Sequence, residues 1–227
     1  ESYDDRAEAV YVVDTIAGLV AKQQVEPGDC AVMYRTNAQS RLLEEAFLRA
    51  GLPYKLGGAQ RFYGRREVKA IIAYLRLIHN PNDSISLMRI INTPTRGIGT
   101  KTVIAIRTLA QQNGVGMVEM LEDLRKGDES DFWNNFPTRM ASVAGAFGNL
   151  IHSWRGLLNR LNPLELVDQI ILDTEYQAYI NDGSEEGHDR WENILELRRL
   201  AAEHEHIGLE SFLEHIALVS DQDTLVG

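Results

Sequence analysis

Lys101 stands between Thr100 and Thr102, directly behind the triplet Gly97-Ile98-Gly99 and the cation Arg96. Residues of these types in this order suit the capture of an anion. The glycines give the backbone a freedom that no other residue gives, and Ile98 between them can plug into an apolar layer beneath. A helix opening at Gly99 presents bare amides at its N-terminus, where the helix dipole favours negative charge. Two hydroxyls and an ammonium at the same place complete a clasp for a phosphate. The same residues also satisfy a plainer reading, a helix–helix turn that needs glycine to bend, and the spacing leaves both open. Pro94 disfavours helix at Thr93, so the turn begins there.

Two further stretches carry candidate chemistry. Tyr34-Arg35-Thr36-Asn37-Ala38-Gln39-Ser40-Arg41 follows a short apolar run that reads as a buried strand, and ligands of open α/β sheets bind beyond the carboxyl ends of strands. Arg35 and Arg41 can meet phosphates there, and Asn37 and Ser40 can donate hydrogen bonds, although either polar residue can equally do no more than cap the next helix. In Gly57-Gly58-Ala59-Gln60-Arg61-Phe62-Tyr63-Gly64-Arg65-Arg66-Glu67, aromatic residues alternate with arginines and glycines. That mixture suits single-stranded nucleic acid, whose bases stack on rings while cations follow the backbone. The alternative is that Phe62 enters the core and Tyr63 covers it.

Other site chemistry is excluded on spacing. Gly99-Thr100-Lys101-Thr102 is no P-loop, because no glycine directly precedes the lysine and a helix, not a strand, leads into it. His204-Glu205-His206 places its histidines two apart, on different sides of a helix, and no third metal ligand sits at useful spacing. No serine or cysteine nucleophile motif is present. The abundant carboxylates of the second half read as a solvated face.

The 227 residues carry a formal charge of −10. Taken whole, that argues against a polyanionic partner; taken by segment it argues for one. Residues 46–118 contain 11 Lys and Arg against only Glu67 and Asp83, a net +9, and the rest of the chain is −19. Such segregation marks a polyanion-facing surface on an acidic body. Cys30 is the single cysteine, so a disulfide within the chain is excluded and a reducing cytoplasm is the expected compartment. No apolar run reaches membrane-spanning length, so no membrane partner is expected.

The pattern around these sites predicts mostly helix. Apolar residues fall at helical spacing within 1–24, and Cys30–Tyr34 and Pro53–Leu56 read as strands flanking a helix over 41–50 that Gly51 ends. This is half of a nucleotide-binding-type α/β layer. After Gly57-Gly58 no further strand is expected. Helices are predicted over 65–79, 84–92 (capped by Asp83), 102–112, 117–125, 137–161, 164–180, 190–206 and 209–219. Arg65, Lys69 and Arg76, spaced by four and seven, would form one basic stripe.

Three runs, AVMYRTNAQSRLLEEAF (31–47), GLPYKLGGAQRFYGRREVKAIIAYLRLI (51–78) and RIINTPTRGIGTKT (89–102), taken together and in this order, resemble the UvrD/PcrA/Rep group of superfamily 1 DNA helicases. The likeness is continuous from residue 30 to about 110 and collinear, though weaker, through ENILEL and FLEHIALVSD. It implies a mainly α fold: a helical bundle with a helix-hairpin-helix-like GIG motif, preceded by a small, incomplete RecA-like α/β portion. Residues 1–56 would correspond to the first part of motor domain 2A, and 57–227 to helical domain 2B with its DNA-binding hairpin at 93–102. Family members hydrolyse ATP with Mg²⁺ to move 3′ to 5′ on single-stranded DNA and unwind duplex, in repair and replication.

Carried over by the resemblance, Arg35, Thr36 and Asn37, with Ser40 and Arg41 beside them, fall in a single-strand contact motif. Arg61, Phe62, Tyr63 and Arg65 fall in a further nucleic-acid motif, and Thr95, Arg96, Gly97, Ile98, Gly99, Thr100, Lys101 and Thr102 form the hairpin that grips duplex. The family's phosphate loop, Mg²⁺-binding acidic motif and later motor motifs have no match here. The chain therefore reads as a piece of a helicase, with no catalytic, cofactor or metal residues of its own, and with ATP and Mg²⁺ implied for the parent. DNA, duplex and single-stranded, is the implied partner, with repair or replication proteins as further candidates and the bacterial cytoplasm and nucleoid as the location. The rival reading is a regulatory module in which the acidic helical half docks a protein and segment 57–60 is a hinge.

Overall fold

The computed structural model describes residues 5–57 and 61–225, the last five through their backbone only. Eleven α-helices follow one another among the described residues: α1 (Asp5–Ala21), α2 (Ser40–Ala50), α3 (Arg66–His79), α4 (Ser84–Ile90), α5 (Thr100–Asn113), α6 (Met117–Leu124), α7 (Thr138–Leu157), α8 (Pro163–Asp173), α9 (Tyr176–Ile180), α10 (Glu185–Glu203) and α11 (Leu209–Leu225). The expected hinge at 57–60 falls largely outside the described residues.

α3 is the axis of the bundle. Ten of its 14 residues are buried, from Glu67 and Val68 to Leu77 and Ile78, and α4, α7, α8, α10 and α11 all pack on it. Each large aliphatic side chain so enclosed stabilises the fold by about 1.5–3 kcal/mol. Tyr74 of α3 meets Trp154 of α7 edge to face, with ring centres 5.5 Å apart. α7 lies so close to α6 that a Cβ on Gly145 or Gly148 would sit 2.5 Å from the Leu124 carbonyl oxygen or 1.9 Å from that of Leu121. Absence of a side chain at these two positions sets the spacing of that helix pair.

A second, smaller apolar cluster joins α1 to α2 through Ala9, Val13 and Ala46, with Leu42, Leu43, Phe47 and Leu52 against it. The strands expected at Cys30–Tyr34 and Pro53–Leu56 are not formed, and the described residues contain no strand. Both segments run without regular structure along a cleft of about 1010 Å³ beside α1 and α2. Exposure still alternates from Ala31 to Tyr34, and Met33 is 95% exposed, so the period of a strand survives without a ladder. A strand needs a neighbour to satisfy its amides and carbonyls, and these two do not pair with each other.

The helix predicted over 164–180 is interrupted. Thr174 folds back on the Ile170 carbonyl through its hydroxyl at 2.6 Å, Glu175 adopts a positive φ of 51°, and α9 begins in a new direction. Elsewhere the caps follow the residues. Asp83 accepts from the Ser86 amide at 3.0 Å, and Asn162 and Glu165 form a reciprocal capping box at 2.9 Å each way. Ser184 accepts from the Gly187 amide at 2.9 Å.

Candidate nucleic-acid interface

Between α4 and α5 the chain turns through residues 91–99, and the turn is stitched from inside. Asn92 Oδ1 accepts from the amides of Arg96 at 2.8 Å and Ile98 at 3.2 Å. Gly97 takes φ +79°, a conformation that L side chains rarely adopt. Ile98, 1% exposed, enters the core, as its place between two glycines suggested. The Tyr74 hydroxyl donates to the Thr93 carbonyl. Burial, partly opposed by Arg96, pushes the pKa of that phenol up to about 12.

Arg96 corrects an expectation. Its guanidinium points inward, donating to the carbonyls of Ile90 and Pro94 at 3.0 Å each and to the Tyr74 hydroxyl. It also lies over the Phe147 ring, 4.8 Å from its centre. This arginine braces the turn. Thr102 is also buried. The outer rim is made by Thr95, Gly97, Gly99, Thr100 and Lys101, all exposed.

The opening of α5 differs from those of α4, α8 and α10. Its N-cap is Gly99, which has no side chain to accept from the first turn, and the first backbone bond is made by Val103 to the Gly99 carbonyl at 3.1 Å. The amides of Thr100, Lys101 and Thr102 therefore open the helix without a capping side chain among the described residues. An ideal Cβ on Gly99 meets nothing within 4 Å, so the approach is unobstructed. Gly99 itself is extended, with φ −81°. Its value there is openness, not backbone freedom.

The other two candidate stretches come together, but largely in the interior. Arg41, 1% exposed, donates to Glu196 at 2.7 Å, Glu45 at 2.9 Å and Glu203 at 3.1 Å. Burial alone would lower its pKa, but these carboxylates outweigh it and hold the guanidinium above its ordinary value. Arg65 is buried too. It donates to Asn193 Oδ1 at 2.6 Å, the Asn37 carbonyl at 2.8 Å and Ser40 Oγ at 2.8 Å, and burial lowers its pKa. Preceding the first residue of α3, it leaves the basic stripe, which keeps Lys69 and Arg76.

Phe62 is fully enclosed, edge to face with Tyr63 at 5.1 Å, and the Tyr63 hydroxyl donates to Glu45 at 3.3 Å. Neither ring offers a face to a base, so the core-and-cover alternative describes them. Arg41, Ser40, Phe62, Tyr63 and Arg65 are thus a structural joint between α2, α3 and α10. At its rim, the amides of Arg35 and Thr36 donate to Gln39 Oε1 at 2.9 and 3.1 Å. The Arg35 side chain is exposed, Thr36 and Asn37 are half-buried, and Arg61 stacks over Tyr54 with its guanidinium carbon 5.7 Å from the ring centre.

Sequence reasoning missed the partners of this joint and of the turn. Asn92 falls at the end of the helix predicted over 84–92, which stops at Ile90, Asn193 lies in a predicted helix without a role, and Glu196 counts among the carboxylates of a solvated face. Their one signal was position: Asn193 and Glu196, three apart, share a helical face with the buried Leu197 and Leu200.

Residues 1–226 match the UvrD-like helicase C-terminal domain. The chain belongs to that family. It is 34% identical over 223 residues to the ATP-dependent DNA helicase PcrA of Bacillus subtilis (strain 168), covering 96% of this chain and 29% of the relative. It is 35% identical over 230 residues to PcrA of Staphylococcus epidermidis and 34% identical over the same length to PcrA of Staphylococcus aureus, with 98% of this chain and 30% of each relative covered. This UvrD-like chain thus spans about a third of the length of the curated relatives it matches. No helix among its described residues is long and apolar enough to cross a membrane.

Proposed function

We propose that this chain is the DNA-gripping part of an ATP-dependent, 3′ to 5′ DNA helicase, holding duplex phosphates on the turn between α4 and α5. The observation that carries the reading is the opening of α5. Uncapped amides, the Thr100 hydroxyl and the Lys101 ammonium share one exposed rim with open space above Gly99. Amides at a helix N-terminus and a lysine bind phosphate and carry no sequence information, so the grip is indifferent to base sequence. The turn then acts as a helix-hairpin-helix, with Ile98 as its internal anchor and Thr95 and Thr100 flanking the phosphate. Arg35, with Thr36 and Asn37 behind it, is the part of the α2 entrance open to a single strand.

In this reading residues 1–56 belong to a RecA-like motor domain and 57–227 to the helical domain that grips duplex. ATP and Mg²⁺ act in a protein of the relatives' length. The glycine turn at 97–99 follows a helix and so lacks the strand that leads into a phosphate loop. No step here runs through either. Repair or replication proteins in the bacterial cytoplasm are the expected company.

The test is fluorescence anisotropy with a labelled duplex bearing a 3′ single-stranded tail, at low and moderate salt. The chain should bind at low salt and release as salt rises. Lys101→Glu should weaken duplex binding several-fold and flatten the salt slope by about 1. Unchanged duplex affinity in that variant would remove the hairpin from the interface.

A further inference from the structure

The turn at α5 does not account for the basic window. Arg65 and Arg96 are turned inward, and Arg107 stays beside the turn, its guanidinium on Met88 Sδ at 3.2 Å. On the opposite flank of α4 lies a separate groove of about 310 Å³, walled by α3, α4 and α11. Lys69 and Arg76 of α3 and Arg89 of α4 line it with Arg61, and no carboxylate does so among the described residues. Lys69, Arg76 and Arg89 are exposed and make no ion pair among the described residues. Asp83, whose carboxyl feels Arg76, is occupied as the cap of α4.

We infer that this groove is a second nucleic-acid site, taking the phosphodiester backbone of one DNA strand. Charge selects the ligand: Lys69, Arg76 and Arg89, three cations without an ion pair among the described residues, are matched by a run of phosphates. Size selects the strand: about 310 Å³ walled by three helices holds a short length of one backbone and not a double helix. The groove offers no stacking platform, because Tyr63 at its wall is 6% exposed with its hydroxyl engaged. Contact is through phosphates and without base preference. α4 then separates two grips, duplex on the α5 side and single strand on the α3 side.

The inference rests on the reading that the chain binds DNA, but not on the hairpin. Its test uses the whole chain with two labelled probes, oligo(dT) and a blunt duplex, at several salt concentrations. Lys69→Glu/Arg89→Glu should weaken oligo(dT) binding about tenfold or more at low salt and flatten its salt slope by roughly 1.4, two single-strand phosphate contacts. Duplex affinity should stay within about twofold, and Lys101→Glu should do the converse. The charge-preserving Lys69→Arg/Arg89→Lys should bind both probes like the parent chain, excluding a folding defect. Parental oligo(dT) affinity in the charge-reversed variant, equal loss on both probes, or no oligo(dT) binding by the parent chain would overturn the groove. If Lys101→Glu leaves duplex binding intact while the groove variant loses oligo(dT), the hairpin reading fails and the groove stands.

Discussion

Arg41 Nε donates to Glu196 Oε1 at 2.7 Å, joining α2 to α10 across 155 positions of sequence. Both side chains are almost wholly enclosed. Glu45 and Glu203 accept from the same guanidinium, so Arg41 is the shared cation, and removing it from buried carboxylates costs about 3–5 kcal/mol. Arg41→Met should lower the free energy of unfolding by that order in urea titration, and Glu196→Ala, which leaves the guanidinium with Glu45 and Glu203, by less. The double change Arg41→Met/Glu196→Leu should recover only part of that loss, because Glu45 stays buried without its arginine.

The close seat of α7 on α6 gives a paired experiment within one helix. Gly148→Ala drives a methyl against the Leu121 carbonyl oxygen, which belongs to backbone and cannot swing aside. It should destabilise the fold by about 1–3 kcal/mol or force the helices apart. Gly156→Ala, eight residues on with nothing within 4 Å, should gain about 0.5–1 kcal/mol from helix propensity. Thermal unfolding of the two variants should move in opposite directions.

Asn92 controls the shape of the turn without touching its outer rim. Asn92→Ala leaves the Arg96 and Ile98 amides without their acceptor and should cost about 1–3 kcal/mol, with duplex binding weakened too. Asn92→Asp keeps an acceptor but adds a negative charge near the phosphate position. It should melt like the parent chain while binding duplex less tightly, separating shape from charge.

Acid should loosen the α10–α11 corner. Burial, helped by His204 with its ring centre 4.4 Å away, lowers the His215 pKa from the usual 6.5. Glu45 opposes the shift, while Arg49 and Arg41 add to it. A histidine lowered by folding contributes stability that is complete above pH 6.5. It is lost as pH falls from there through the lower native value, because the unfolded chain takes up the proton first. Urea midpoints should therefore fall below pH 6.5, and His215→Gln should flatten that part of the profile.

The helices were legible because their cues are local. The spacing of Val68, Ile71, Ile72 and Leu75, the Asp83 cap and the stop at Gly51 all act within a turn or two. The strands were misread because Cys30–Tyr34 carries the composition of a strand, whereas a strand exists only with a neighbour. In the candidate site, type and spacing located the turn and the inward Ile98. They did not tell an outward arginine from an inward one: Lys101 and Arg96 look alike in sequence, and only Tyr74, Phe147 and two carbonyls decide which faces water. The bonds that hold Arg41 and Arg65 reach across 155 and 128 positions, beyond any periodicity.

The turn between α4 and α5 is held by Asn92, Tyr74, Arg96 and Ile98 from below, and of its outward residues only Gly97, through its positive φ, shares that duty. Foundation and working surface are separate sets of side chains. Thr95, Thr100 and Lys101 can consequently be exchanged one by one while the loop keeps its form, so affinity for a polyanion can be raised, lowered or redirected without renegotiating the fold.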